Sequence, residues 1–141
     1  MVIVLVVVII LAFFGYRLFL APTDSEPSSS EEGEEEVIED TLDIEKISQE
    51  VTDGLAVLLD VRTDAELVED GYAPNSLHFD FVRIEGGEFP DFSKDMKAYI
   101  YCKSGGRAGK AETILENNGW TDVTNIGGLV DWIAAGGETV K

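Results

Sequence analysis

The chain has one cysteine, one histidine and only 10 lysines and arginines among its 141 residues. Each shortage excludes something. A single cysteine closes no disulfide within the chain. One cysteine with one histidine also falls short of the three or four ligands a zinc site needs. No disulfide scaffold, no metal and no cofactor is expected, so the thiol of Cys102 is either buried filler or a reagent. The shortage of positive charge is equally informative. Against 28 aspartates and glutamates, the formal net charge is −18. A field of that sign repels phosphate, which argues against nucleic acid as a partner.

The amino end is the opposite extreme. Residues 1–20 (MVIVLVVVIILAFFGYRLFL) carry one charge, Arg17. Twenty helical residues reach roughly 30 Å, about one hydrocarbon core. Arg17 can snorkel to the interface, and Tyr16 suits the same level. A core helix would show a polar face, and this run has none. A cleaved signal peptide would have a basic start and a small-residue cleavage site. Here no Lys or Arg precedes the run, and Ala21 is followed by Pro22. Residues 1–20 are therefore read as a single-pass membrane anchor. Arg17 lies on its carboxyl side, so the positive-inside rule slightly favours a cytoplasmic domain. Residues 21–40 (APTDSEPSSSEEGEEEVIED) are rich in proline and serine, then in glutamate, with no apolar period. Such a stretch buries too little to offset its ordering entropy, and is read as a disordered, self-repelling linker. An acidic docking tail or cation-binding patch is the alternative. Residues 41–141 remain for one folded domain with its own core.

Within that domain, Leu42, Ile44, Ile47 and Val51 fall partly on one face, so 41–51 reads as a helix. The run Leu55–Val61 (LAVLLDV) reads as a buried strand after the turn signal Asp53-Gly54. Thr63 with Glu66 makes a capping box for a short helix that Gly71 ends. Alternation of Leu77, Phe79 and Phe81 predicts a strand over Ser76–Phe81. Further strands are expected at Ala98–Tyr101 and Asp122–Ile126. A helix is expected from Arg107 to Gly119, and a short one within GGLVDWIAAGG. Strands alternating with helices imply an α/β fold: a small, mostly parallel sheet flanked by helices, with ligands at the carboxyl ends of its strands.

Cys102 stands at such an end, in YIYCKSGGRAGK. A thiol reacts as thiolate, and its ordinary pKa is too high for full ionisation at neutral pH. The sequence offers three remedies. The helix starting near Arg107 turns its positive end toward the loop. Gly105 and Gly106 let backbone N–H groups converge into an anion nest. Lys103, Arg107 and Lys110 add positive charge. A free cysteine is more often a small buried hydrophobe, and paired glycines more often a plain turn. Together, at a strand–loop–helix junction, they favour a low-pKa nucleophile in an anion cradle.

The segments LLDVRTDAE, GYAPNSLHF, YCKSGGRAGKA and GGLVDW, in this order and spacing, resemble the rhodanese family of single-domain sulfurtransferases. The resemblance covers about residues 41–141. It implies a persulfide cycle. Cys102 would take the outer sulfur of a small anionic donor such as thiosulfate, and a thiol or cyanide acceptor would remove it. Lys103, Ser104, Gly105, Gly106 and Arg107 would form the substrate-binding loop. Asp60 would help hold that loop, and Arg62 would be structural or substrate-facing. The absence of a second cysteine fits an external acceptor. Tyr72, Asn75 and Ser76 depart from the family's Gly-His-Ile-Pro-Gly-Ala segment and alter the wall near the second strand.

Two rivals stand. A cysteine phosphatase or arsenate reductase on the same fold would have Cys-x5-Arg, whereas here four residues separate Cys102 and Arg107. A non-enzymatic, membrane-tethered binding module would need neither the cysteine nor the cradle. His78 reads as strand surface, Trp120 and Trp132 as core, and EGGEFPDF (85–92) as a loop.

Overall fold

A computed structural model of the chain describes residues Leu42–Lys141. The anchor and linker expected at 1–20 and 21–40 lie outside those residues. Among the described residues no helix is long and apolar enough to cross a membrane. In chain order the elements are α1 (Ile44–Thr52), β1 (Ala56–Asp60), α2 (Asp64–Asp70), β2 (Leu77–His78), α3 (Phe81–Glu85), β3 (Lys97–Cys102), α4 (Gly106–Asn117), β4 (Val123–Gly128) and α5 (Leu129–Ala134).

Apolar runs without alternation are what strands show when both their faces are covered. The four strands form one sheet in the order β2-β1-β3-β4, every neighbouring pair parallel. Successive residues send side chains to opposite faces. Leu58, Tyr99 and Tyr101 accordingly pack with Ile47, Leu129 and Trp132, from α1 and α5. Leu59, Ile100 and Cys102 pack the other way, with Phe81, Ile84, Ala108, Ala111 and Leu115 from α3 and α4. Cys102 thus ends the central strand β3 while facing α4.

The helix starts follow local chemistry. Asp43 caps α1 by accepting the Lys46 N–H at 3.0 Å. The capping box is present: Thr63 Oγ1 accepts from the Glu66 N–H, and Glu66 Oε2 accepts from the Thr63 N–H at 3.0 Å. Gly71 ends α2, its N–H donating to the Leu67 carbonyl.

The strand expected at Ser76–Phe81 shrinks to Leu77–His78, and Phe81 opens a helix instead. Asp80 is the cause. Its carboxylate accepts the Val82 N–H at 3.0 Å and caps α3. Two of the alternating residues do go inside, with Phe79 8% and Phe81 7% exposed, but Leu77 is 41% exposed at the sheet edge. The alternation there came from a turn that buries two rings, not from a pleat. Segment 85–92 is core-packing in part: the Phe89 and Phe92 rings lie 5.3 and 6.0 Å from that of Trp120. After α5 the chain returns to form an antiparallel bridge between Tyr72 and Val140, closed by two hydrogen bonds of 3.0 and 2.9 Å.

Candidate active site

Cys102, the last residue of β3, is 1% exposed and its Sγ accepts the Gly105 N–H at 3.1 Å. Lys103 and Ser104 are exposed and carry the loop outward. Gly105 turns it back with φ +88°, a conformation L side chains rarely adopt. It precedes α4 with no side-chain cap on that helix. The first α4 backbone bond runs from Gly109 N–H to the Gly105 carbonyl. The N–H groups of Gly106, Arg107 and Ala108 therefore have no intrahelical partner and carry the positive end of the helix dipole. The loop, the helix start and the thiol meet where the sequence places them.

The floor of the loop comes from β4, which sequence reasoning did not connect with the site. A Cβ at Gly128 would stand 2.5 Å from the Lys103 carbonyl carbon and 2.6 Å from Ser104 Cα, so only glycine admits the loop there. Asn125 ties the two together. Its Nδ2 donates to the Gly105 carbonyl at 3.3 Å, and its Oδ1 accepts the Gly127 N–H at 2.9 Å. Glu112 in turn accepts the Asn125 N–H at 3.0 Å. The Gly-Gly of GGLVDW was visible as a helix boundary, but its clearance under the loop was not.

The basic residues are placed differently from the simplest expectation. Arg107 does not reach into free loop space. Its Nη1 and Nη2 close on Glu66 Oε2 and Oε1 at 2.7 and 2.6 Å. The bidentate pair, helped by the capping hydrogen bonds from Thr63, holds the Glu66 carboxyl down at about 2 and raises the Arg107 guanidinium. Glu66 was legible as a capping residue, and its second partner was not. Lys103 Nζ lies 3.5 Å from Asp70 at the end of α2.

Asp60 and Arg62 sit beneath this layer, both fully buried. Arg62 donates from its backbone N–H, Nε and Nη2 to the Asp60 carboxylate, and from Nη2 to the Gly71 carbonyl at 2.7 Å. Asp60 was expected to hold the loop, but its hydrogen bonds go to Arg62. Arg62, expected to be structural or substrate-facing, is fully buried with these partners. The Arg62 guanidinium lies 5.6 Å from the centre of the Tyr101 ring. The Tyr101 hydroxyl accepts the Ala73 N–H at 3.1 Å and donates to Ser76 Oγ at 3.3 Å. Burial, then the Asp60 charge, keep that phenol above its ordinary pKa. Asn75 takes φ +59°, which asparagine tolerates better than most side chains. His78 sits half-buried at the sheet edge, its Nε2 2.7 Å from the Arg62 carbonyl and its Nδ1 3.4 Å from Asp64.

Residues 43–135 match the family model described as a rhodanese-like domain. A curated relative, a sulfurtransferase of Allochromatium vinosum, is 36% identical over 99 residues, 67% of this chain and 89% of its own length. Among solved structures, a rhodanese-like domain protein of Staphylococcus aureus is 29% identical at TM-score 0.55, covering 70% of this chain and 95% of that one. A protein of unknown function and possible tyrosine phosphatase from Rhodopseudomonas palustris is 28% identical at TM-score 0.60, covering 69% of this chain and 78% of that one. With the family model spanning residues 43–135 and a sulfurtransferase 36% identical over 99 residues, the chain belongs to the rhodanese-like sulfurtransferase family.

Proposed function

We propose that this chain moves sulfane sulfur through a persulfide on Cys102, from a donor such as thiosulfate to a thiol or cyanide. One observation carries the reading: the only cysteine ends the central strand, with its sulfur already accepting a loop N–H and the uncapped α4 start beside it. That arrangement sets a hydrogen-bond donor and the positive end of α4 against the sulfur, where an attacking nucleophile is needed. The thiolate attacks the outer sulfur of the donor; the donor's sulfur–sulfur bond breaks and the remainder leaves with the electron pair. The new Cys102–S–S⁻ is held by the same N–H groups until the acceptor attacks its outer sulfur and Cys102 departs as thiolate. Residues 1–20 would hold the domain at a membrane and 21–40 would space it from the surface.

The likeness to a possible tyrosine phosphatase names the competing chemistry. The four residues between Cys102 and Arg107, and the closure of Arg107 on Glu66, support sulfur over a tetrahedral phosphate. The test is mass spectrometry of the full chain after exposure to thiosulfate or an alkyl persulfide. Wild type should gain one sulfur atom that cyanide removes, and Cys102→Ser should gain none. Equal loading of Cys102→Ser, or hydrolysis of an aryl phosphate without sulfur transfer, would sink the proposal.

A further inference from the structure

Lys103 and Arg107 are the cations of the loop and of the first turn after it. Each is already held by a carboxylate. Glu66 takes both Arg107 nitrogens, at 2.7 and 2.6 Å, and is itself oriented by Thr63. Asp70 lies 3.5 Å from Lys103 Nζ and 4.0 Å from Nη1 of Arg62. That Nη1 is buried and makes no hydrogen bond, while the other side of the same guanidinium pairs with Asp60 at 2.6 Å. Asp70 therefore stands between the buried Arg62 and the exposed Lys103, within ion-pair distance of both. Lys110 stands one helical turn beyond Arg107 and is exposed. From Val51 onward the domain has 16 acidic and 8 basic side chains, so its overall field opposes an incoming anion.

From these pairs we infer that Glu66 and Asp70 set the charge class of the sulfur donor. By withdrawing Arg107 and Lys103 from an incoming molecule, they make the site select a low-molecular-weight persulfide, with one negative charge or none, over dianionic thiosulfate. The inference rests on the sulfur-carrier reading of Cys102. With a persulfide the step is Cys–S⁻ + R–S–SH → Cys–S–SH + R–S⁻: one sulfur–sulfur bond forms, one breaks, and no outside oxidant or reductant is needed. With thiosulfate the leaving group is sulfite, and both charges enter a region where each cation is shared with a carboxylate. Repulsion scales with the donor's charge and weakens with salt. Neither carboxylate touches the sulfur, so both are positioning residues acting through Lys103 and Arg107.

The experiment is the initial rate at which the full chain gains sulfur on Cys102, with thiosulfate and, separately, with the persulfide of mercaptoethanol, an uncharged thiol. The readout is the ratio of the two rate constants, because a purely structural defect slows both donors alike. Wild type should favour the persulfide by about tenfold or more at low ionic strength, and Asp70→Asn should move the ratio about fivefold toward thiosulfate. Asp70→Glu should restore the wild-type ratio, Glu66→Gln should shift it in the same direction as Asp70→Asn, and added salt should narrow the gap in wild type. A wild-type ratio near one, or a ratio that Asp70→Asn and salt leave unmoved, overturns the inference while leaving sulfur transfer intact. Failure of both donors to load wild-type Cys102 overturns the sulfur-carrier reading and the inference with it.

Discussion

Replacing Glu66 by glutamine isolates one interaction. Glutamine at that position can still complete a capping box with Thr63, so the helix start is largely kept. What disappears is the carboxylate that closes twice on Arg107, at 2.7 and 2.6 Å. The folded chain holds this carboxyl at about 2 against an ordinary 4.5. Each pKa unit corresponds to about 1.4 kcal/mol, so the ceiling is about 3 kcal/mol. Arg107 is 31% exposed and Glu66 17%. Solvent screening of such a half-open pair brings the expected loss to about 1–2 kcal/mol. The pH dependence has a definite sign. Folding depresses this pKa, so the contribution is full above the ordinary value of 4.5 and fades as pH falls toward about 2. Urea unfolding of full-length wild type and Glu66→Gln, repeated between about pH 7 and pH 3, should show a gap that closes on the acid side. A gap below about 0.5 kcal/mol at neutral pH, within the usual error of additivity, would falsify the argument. So would a gap of undiminished size at the acid end.

Three further outcomes are expected. Gly128→Ala puts a methyl 2.5 Å from the Lys103 carbonyl carbon, and should cost about 1–3 kcal/mol of stability in thermal melts while slowing sulfur loading of Cys102. Leu115→Ala, at a fully buried position facing β3, should cost about 2–5 kcal/mol, measured by the same melts. Val68→Ala, on a residue 80% exposed, is its control and should stay within about 0.5 kcal/mol of wild type.

Much of the fold was legible because local chemistry and global packing agree. The unbroken apolar run at β1 marked a strand covered on both faces, and Thr63 with Glu66 marked a helix start whose two hydrogen bonds are present. The spacing of Ala108, Ala111, Ile114 and Leu115 marks α4, and three of the four are buried, with Ile114 packed partly exposed against the same core. The failure at Ser76–Phe81 is instructive. Leu77, Phe79 and Phe81 alternate like a strand, but Asp80 binds the Val82 N–H and turns the chain into α3. Two buried rings beside a cap mimic a pleat. The candidate site was legible as a loop and not as an assembly. Cys102, Gly105 and Gly106 lie together at the end of β3 and the start of α4 because they are neighbours in sequence. Glu66, Asp70, Asn125 and Gly128 were missed as site residues because their contacts reach 20 to 41 positions along the chain, where no periodicity records them.

Chain termini are usually where a protein tolerates loss or addition. The bridge between Tyr72 and Val140 makes the stretch after α5 a fastened one. Val140 clasps the strip of backbone at Gly71 and Tyr72, and the Gly71 carbonyl is the one that accepts Arg62 Nη2. Arg62 in turn faces Asp70, which faces Lys103. Clipping the last two residues therefore unfastens a chain of supports that ends in the cysteine loop.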